Sequence, residues 1–369
     1  MKITRITPHL VDRCLLVRVH TDEGHIGTGE AGLWSQHRLV REALIDLADY
    51  YVGRDPLLIE HHFQAVTRDT HFAGSALSAA LSAIDIACWD LLGKVTGLSV
   101  AQLLGGNVRD KVRVFANVVG DTLPARAESA RHAVAQGYTA LRTMPFFPGW
   151  EGQVPTRYLG DIVAIVGTIR DAIGPAIDLG VELHRNLGPA EAVSLARELE
   201  PFRLAYYEDP VAPESLEALR YVARHVNIPL AAGERCHTLH QFKELLDTGT
   251  AALIRPDLSL AGGFTQCKKI AALAEASFVG VFPHLMGGPV NLAAYVQFAA
   301  AIPNYVLMES GSTDLNAIVD TPLLVENGYI AVPNRPGLGV ELNEAALAAF
   351  PHRPHRIAPA HRADGSIAH

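Results

Sequence analysis

The sequence has few cysteines, and they form no pattern typical of a disulfide framework or a zinc site. The 369 residues contain four cysteines and no CxxC pair; they are Cys14, Cys88, Cys236 and Cys267. Closely spaced cysteine pairs characterise zinc sites, and dense cysteines characterise small secreted domains. We therefore expect a protein of a reducing compartment, the cytoplasm.

Long apolar runs and clusters of basic residues are also missing. The first residues, MKITRITPHLVDR, have no signal-peptide core, and no run of about 18 apolar residues could span a bilayer. The formal net charge is −8, and Lys and Arg form no long tract. An acidic chain of this kind is a poor match for nucleic acids and anionic membranes, so we expect neither as a partner.

The chain is long enough for a barrel and a second domain. A (β/α)8 barrel takes about 250 residues, and 49% of these 369 residues are hydrophobic. The first hundred residues have the pattern of strands followed by helices, and β/α alternation starts with the strand VRVFANVV and ends near residue 311. We predict an α/β protein with an α+β capping domain at 1–111, a (β/α)8-type barrel at 112–311, and a C-terminal segment at 312–369 that returns to the cap.

Six ionisable side chains recur through the middle of the chain at intervals of 26, 26, 23, 27 and 25 residues. Each follows a short apolar run typical of a buried strand, and they are Glu182, Glu208, Glu234, Asp257, His284 and Glu309. One strand, one helix and two short loops need about that many residues, so the spacing indicates a β/α repeat. Because the carboxyl ends of barrel strands meet at one mouth, the six side chains should converge there.

Three of the six are glutamates on consecutive predicted strands: Glu182, Glu208 and Glu234. Buried carboxylates repel one another unless they are paired or bind a metal ion. An all-oxygen set of ligands favours Mg²⁺ or Mn²⁺ over zinc. A single glutamate at a strand end is more often a helix cap or a solvated loop residue, but six groups in phase favour a metal centre.

The third predicted strand offers a second candidate ligand. Asp178, Gly180, Glu182 and His184 alternate onto one face. Asp178 lies about 13 Å deeper at about 3.3 Å per residue and breaks the 26-residue interval, so we place it at the bottom of the barrel. His184 falls at the mouth of the barrel. It is either a catalytic residue or a solvated histidine of the loop.

Asp257 and His284 end adjacent predicted strands. A carboxylate beside an imidazole fixes its tautomer and raises its pKa, which makes a stronger base. A purely structural hydrogen bond is the alternative. The glycine-rich turns that follow, at 261–263 and 286–288, are interpreted as tight turns because neither matches a phosphate-binding pattern.

Several longer stretches together resemble one family. They are DEGHIGTGEAG, SAIDIACWDLLGK, VELHR, IPLAAGER, IRPDLSLAGG, FPHLMGGPVNLAA and RPGLGVEL. The chain resembles the enolase superfamily over essentially its whole length, in the mandelate racemase-like subgroup, and most of all the acid-sugar dehydratases of the galactonate dehydratase type.

This resemblance implies that Glu182, Glu208 and Glu234 bind Mg²⁺, and it also exposes two departures. The family's first ligand is usually Asp, whereas Glu182 is one methylene longer. The lysine pair that related racemases and lactonizing enzymes carry on strand two is absent, and Arg142, with Thr143 and Met144, stands there instead. Arg142 is therefore a candidate for contacting the substrate.

The resemblance also implies catalytic roles. His284, backed by Asp257, matches the base that abstracts a proton, and His184 matches the acid that protonates a leaving hydroxyl. Glu309 matches the carboxylic acid that hydrogen-bonds the carboxylate of the substrate.

The implied activity is Mg²⁺-dependent dehydration of a sugar acid, a galactonate-like aldonate, to a 2-keto-3-deoxy acid through an enediolate. A racemase, epimerase or lactone cycloisomerase that uses the same site is the main alternative. A non-catalytic barrel is a second one, against which the Asp257–His284 pair and His184 argue. We expect a homo-oligomer that acts on a small-molecule sugar acid.

Loops are expected to select the acid. The candidates are the loop after strand two and the cap loops Gly24–His37 and Asp69–Gly74, with the side chains His25, Trp34, His37 and His71. The tail HRPHRIAPAHRADGSIAH predicts disorder by its composition, whereas its last residues resemble an ordered family ending.

Overall fold

The computed structural model of the protein describes residues 1–362 and 364–367. The predictions for the tail therefore lie partly outside the described residues, at 363 and 368–369. The N-terminal region begins with an antiparallel sheet of β1 (Ile3–Val11), β2 (Cys14–Thr21) and β3 (Ile26–Ala31). The helices that follow are α1 (His37–Tyr51), α2 (Ile59–Asp69), α3 (Ser75–Thr96) and α4 (Val100–Leu103).

Helix α3 packs closely on β3 because both surfaces carry small residues. A Cβ atom at Gly29 would lie 2.1 Å from the carbonyl oxygen of Ala83, and one at Gly27 would lie 2.0 Å from that of Ala87. By length and composition alone, α3 meets the criteria for a helix that could cross a membrane. However, 72% of its most apolar window is buried inside the protein, as in the core helix of a folded domain.

The middle of the chain alternates strands and helices. The strands are β4 (Lys111–Arg113), β5 (Ala116–Val118), β6 (Ala140–Thr143), β7 (Asp178–Glu182), β8 (Tyr206–Glu208), β9 (Leu230–Ala232), β10 (Leu253–Ile254) and β11 (Gly280–Val281). The helices are α5 (Leu123–Ala135), α6 (Pro155–Ile173), α7 (Pro189–Leu199), α8 (Leu216–Ala223), α9 (Leu239–Asp247), α10 (Gly263–Ala276) and α11 (Pro289–Ala300). Strands β5 to β11 form one parallel sheet in sequence order.

An eighth segment closes this sheet into a barrel. Tyr305 forms a parallel bridge with Val281 of β11, and Met308 forms one with Val114, just before β5. The predicted eighth strand is thus present as two bridges. The predicted first strand is partly wrong, because VRVFANVV divides between two sheets: β4 leaves the barrel and only β5 belongs to it.

The C-terminal segment begins with a hairpin. Strands β12 (Val325–Glu326) and β13 (Tyr329–Ala331) pair with each other, and β13 also pairs with β4. Helix α12 (Glu344–Leu347) follows. The chain then contacts the N-terminal sheet, where Arg353 makes an ion pair with Asp12. The domain boundaries at 111 and 311 stay predictions.

The barrel interior is filled by large aromatic side chains. Phe115, Tyr206 and Phe282 form a buried cluster with Ala140, Ala231 and Leu307. Gly180 makes room for one of these rings, because a Cβ atom there would lie 2.0 Å from the ring of Tyr206. This packed layer forms the floor of the barrel, directly beneath the residues at its mouth.

Asp90 of α3 joins three parts of the chain. It is fully buried, accepts hydrogen bonds from the Thr28 and Leu338 amides at 2.9 Å each, and pairs with Lys94 at 2.8 Å. An amide at this position would turn an N–H group towards one of these donors and leave Lys94 without its buried partner.

We therefore expect Asp90→Asn to lower the free energy of unfolding by about 3 kcal/mol, measured by urea denaturation. Asp247→Asn is the matched control, because Asp247 pairs with Lys243 on the exposed face of α9 and its loss should change stability little. Equal effects of the two substitutions would contradict the role assigned to Asp90.

Candidate active site

The structure brings the six spaced side chains to the carboxyl end of the barrel. Glu182 and Glu208 are the last residues of β7 and β8 and lie opposite each other in register. Glu234 lies two residues beyond β9, and Glu309 directly follows the bridging residue Met308. Asp257 and His284 each lie three residues beyond their strands.

The three glutamates form a compact acidic cluster. Glu182, Glu208 and Glu234 are buried, and one carboxylate oxygen of each lies within 4.8 Å of the others. Burial raises the pKa of Glu208 to about 8, against the opposing effect of Arg255. Its Oε2 atom is buried without a hydrogen-bond partner among the described residues. An unpartnered carboxylate oxygen between two further carboxylates fits a divalent cation bound through oxygen atoms.

Two arginines compensate part of this negative charge. Arg142 places Nη1 3.0 Å from Glu182, 3.2 Å from Glu208 and 3.2 Å from Glu309. Arg255 is fully buried and reaches Glu208 at 3.0 Å and Glu309 at 2.7 Å. Sequence reasoning missed Arg255, although an arginine inside the apolar run TAALIRPD, two residues before Asp257, could have indicated it.

The two arginines rest on the aromatic floor of the barrel. The guanidinium of Arg142 lies 4.6 Å from the ring centre of Phe115, and that of Arg255 lies 4.2 Å from that of Phe282. A cation above an aromatic face is stabilised electrostatically, most of all away from water. The floor therefore helps to fix the arginines, and through them the carboxylates.

Asp257 and His284 form the expected pair. The Nδ1 atom of His284 lies 2.8 Å from Asp257 Oδ2, and the hydroxyls of Tyr295 and Ser259 donate to Oδ1 at 2.6 and 2.7 Å. Burial disfavours the charged imidazole, but Glu234 and Asp257 outweigh it and raise the pKa of His284 to about 9. Because Nδ1 faces Asp257, Nε2 points towards the acidic cluster, 3.7 Å from Glu234.

His184 lies in the same mouth, on the opposite side of the ring. Strands β7 and β11 are four positions apart in either direction around the closed barrel. The Nη2 atom of Arg185 lies 2.8 Å from His184 Nε2, and burial together with Arg185 lowers the pKa of His184. Arg185 also pairs with Glu234, a contact that the sequence did not predict.

Asp178 lies far from this cluster. It is the first residue of β7, is exposed, and pairs with Arg113 at 2.9 Å. The two carboxylates of strand three thus lie at opposite ends of the barrel, and only Glu182 reaches the mouth.

A cavity of about 990 Å³ lies beside the site. Trp34 and His37 of the cap line it, with Met286 and Ser312 from the loops after His284 and Glu309, and His355 of the C-terminal segment. His25 and His71, the other two candidates for specificity, are exposed and do not line it.

The loop after β6, the second strand of the barrel, lines a second cavity. Trp150 of this loop packs on Phe146, with ring centres 4.3 Å apart. The cavity measures about 330 Å³ and is bounded by Trp150, Arg185 and Arg362. Arg185, which contacts His184, is thus part of the cavity wall.

A capped parallel barrel with buried carboxylates at its mouth defines the class of protein. Two family models match: the N-terminal domain of mandelate racemase / muconate lactonizing enzyme over residues 2–105, and the enolase C-terminal domain-like family over residues 125–346. The chain belongs to the enolase superfamily, in its mandelate racemase-like branch.

Full-length relatives agree with this assignment. The D-galactonate dehydratase of Xanthomonas euvesicatoria pv. vesicatoria is 38% identical over 384 residues that cover 100% of both chains, and that of Ralstonia pickettii is 38% identical over 385 residues with the same coverage. An enolase from Agrobacterium radiobacter, bound to Na and L-malate, matches with a TM-score of 0.93 and 29% identity over 100% of both chains. The protein is an enzyme of the hydro-lyase class.

The acidic cluster generates a prediction about metal binding. Glu208→Gln should weaken Mg²⁺ binding by at least about tenfold while the protein stays folded, because it removes one of three converging charges. Glu182→Asp should keep part of the affinity and Glu182→Ala almost none, measured by isothermal titration calorimetry.

Asp178→Ala serves as the control, because this carboxylate lies at the opposite end of β7. A loss of Mg²⁺ affinity in that variant, or full affinity in Glu208→Gln, would show that the cluster is not the metal site.

Proposed function

We propose that the protein dehydrates a sugar acid, a galactonate-like aldonate, to a 2-keto-3-deoxy acid through an enediolate, with Mg²⁺ or Mn²⁺ as cofactor. The observation that carries this proposal is the arrangement of two histidines on opposite sides of a carboxylate cluster. One of them, His284, is backed by Asp257 at 2.8 Å. Dehydration needs a base at the α-carbon and an acid at the β-hydroxyl, and this mouth offers both.

The proton next to a carboxylate is very weakly acidic, so its removal needs charge stabilisation. When held by Glu182, Glu208 and Glu234, a divalent cation supplies positive charge beside the substrate's carboxylate. In our proposal Arg142 contacts the substrate and Glu309 hydrogen-bonds its carboxylate, the role that the family resemblance implies.

The two histidines divide the proton transfers. His284 is the base in this proposal, because Asp257 holds its Nδ1–H and leaves Nε2 directed towards the site. His184 is the acid that protonates the departing β-hydroxyl. Since β7 and β11 face each other across the barrel, the two rings would approach the substrate from opposite sides, which suits anti elimination.

Specificity would depend on the two cavities, each of which is lined in part by loops that follow the barrel strands. The larger one is lined by Trp34, His37, Ser35 and Ser312, a mixture of aromatic and hydroxyl groups suited to a polyol chain. The net charge of −8 supports a small-molecule substrate over nucleic acid or membrane. A homo-oligomer in the cytoplasm stays our expectation.

A panel of sugar acids tests the activity. With Mg²⁺ present, at least one aldonate should yield a 2-keto-3-deoxy acid, detected as the semicarbazone and by a mass that is lower by one water. Conversion of the acids without loss of mass would favour the racemase or epimerase alternative. Retention of full activity after exhaustive chelation would refute the cofactor.

The division of roles gives a further prediction. His284→Asn should abolish both dehydration and exchange of the α-proton with solvent deuterium, because no base remains. His184→Asn should abolish dehydration but keep some exchange, since the enediolate can still form and be reprotonated. Deuterium in recovered substrate, measured by mass spectrometry, distinguishes the two variants.

His225→Asn is the matched control, because its ring hydrogen-bonds the Tyr221 carbonyl on the surface of α8, so activity and exchange should be unchanged. Exchange that survives in the His284 variant and disappears in the His184 variant would reverse the two roles.

A further inference from the structure

A stripe of polar side chains runs along α3, the long helix of the cap. Its members recur at intervals of three, four, three and four residues, which places them on one face of the helix, and they are Ser75, Ser78, Ser82, Asp85 and Trp89. Buried polar groups need hydrogen-bond partners, and those of this stripe belong to the barrel. Ser75 begins the stripe and places its hydroxyl 2.9 Å from Nε2 of His237, in the loop after β9.

The middle of the stripe contacts residues 258–265, which comprise the loop after β10 and the first residues of α10. We call this segment the α10 turn. Ser78 donates to the Leu260 carbonyl at 2.6 Å, and Ser82 accepts from the Gly262 amide at 2.8 Å. Because Ser82 donates its own proton to the Ser78 carbonyl at 2.7 Å, its oxygen is free to accept. Two hydroxyls of the cap thus satisfy a carbonyl and an amide of the barrel.

Asp85 and Trp89 hold the far end of the α10 turn. Asp85 Oδ1 accepts from the Thr265 amide at 3.2 Å, and Trp89 Nε1 donates to the Thr265 hydroxyl at 2.9 Å. Gly263 has a φ of +66°, and a Cβ atom there would lie 2.1 Å from Asp85 Oδ1, so this position requires glycine. The glycine-rich turn at 261–263 is therefore the place where a carboxylate of the cap docks.

The cap also holds this turn from a second direction. The Gly32 amide, directly after β3, donates to the Ser259 carbonyl at 2.9 Å. Ser259 is fully buried, and its hydroxyl donates to Asp257 Oδ1 at 2.7 Å. The Asp257 carbonyl accepts from the amides of Leu260 and Ala261 at 3.0 and 2.7 Å. The carboxylate and the carbonyl of Asp257 are thus both bonded to the turn that the cap holds.

We propose that the cap positions the Asp257–His284 pair through the α10 turn, and that Ser82 and Asp85 are positioning residues for the abstraction of the α-proton. The proposal rests on the proposed function, because it takes His284 as the base. With Oδ1 held by the turn and by Tyr295, Oδ2 is directed at His284 Nδ1. A carboxylate in a fixed direction holds the imidazole in one orientation, and a small displacement of a catalytic group costs much of the rate.

A second buried carboxylate of α3, Asp90, separates positioning from stability. It bonds the Thr28 and Leu338 amides and pairs with Lys94, and these three partners lie outside the α10 turn. Asp90→Asn should therefore destabilise the cap as expected above without moving the Asp257–His284 pair. It is the matched control for the loss of Asp85 from the same helix.

The first test observes the pair without a substrate. The Nδ1 proton of His284 should give a downfield ¹H NMR resonance in the wild type, assigned by its loss in His284→Asn. Ser82→Ala leaves the Gly262 amide without its acceptor, so we expect this resonance to shift or broaden and the amides of the α10 turn to exchange with deuterium at least about tenfold faster. Asp85→Ala should act in the same way, whereas Asp85→Asn, which keeps an oxygen for the Thr265 amide, should keep the wild-type signal.

The second test measures proton abstraction on a sugar acid that the panel identifies. Ser82→Ala and Asp85→Ala should lower kcat for α-proton exchange about ten- to hundredfold and keep KM within about threefold of the wild type, because the acidic cluster follows other strands. Mg²⁺ affinity should stay close to that of the wild type for the same reason. Asp85→Asn should recover most of kcat, and Asp90→Asn should keep kcat per folded protein.

The decisive variant is Ser82→Ala, which removes one hydroxyl and decides the question alone if Asp85→Ala does not fold. The wild-type resonance and amide exchange in Ser82→Ala would overturn the proposal, and so would full kcat in that variant. An equal loss of kcat per folded protein in Asp90→Asn would overturn it too, since the effect would then follow stability. If no sugar acid reacts while the resonance and the amide exchange change as expected, the proposed function fails and the positioning of the pair stands.

Discussion

The burial of many carboxylates in one place is the constraint on which the rest of the structure depends. Glu182, Glu208, Glu234, Asp257 and Glu309 are all buried at the barrel mouth. Like charges at this separation in a poorly solvated site repel strongly unless cations or hydrogen bonds compensate them. Arginines inside the mouth supply part of the compensation. The Oε2 atom of Glu208 has no hydrogen-bond partner in the part of the chain that the structure describes, which indicates where the compensation is incomplete and where a cation fits.

The aromatic interior and the cap both serve this arrangement. Phe115 and Phe282 carry Arg142 and Arg255 on their faces, so the floor of the barrel also fixes the charges above it. On the cap side, buried Glu30 accepts hydrogen bonds from the amides of Gly288 and Asn291 at the start of α11. That contact links β3 to the loop that follows His284, and so holds the cap over the mouth.

The spacing of polar residues predicted much of the site. A β/α repeat imposes a nearly constant number of residues per strand, so Glu182 and Glu208 had to reach the same end of the barrel once their strands were recognised. The division of VRVFANVV between two sheets could not be predicted, because nothing within a single apolar run indicates which strands its residues will pair with. Arg255 and Tyr295 were missed for a similar reason: each looks like an isolated polar residue in an apolar segment until its carboxylate partner is placed beside it.

By itself the sequence determined the repeat, the capped barrel and the identity of the groups at its mouth, because hydrophobic periodicity and residue spacing are properties of the chain. Only the tertiary structure decided which charges meet. Glu309 is 54 residues from Arg255 and 167 from Arg142 along the chain, yet all three share one hydrogen-bond network. How strongly a carboxyl group is held depends on its neighbours in space, since the free energy of its charge is set by local cations and solvent exposure, and no local sequence pattern encodes either.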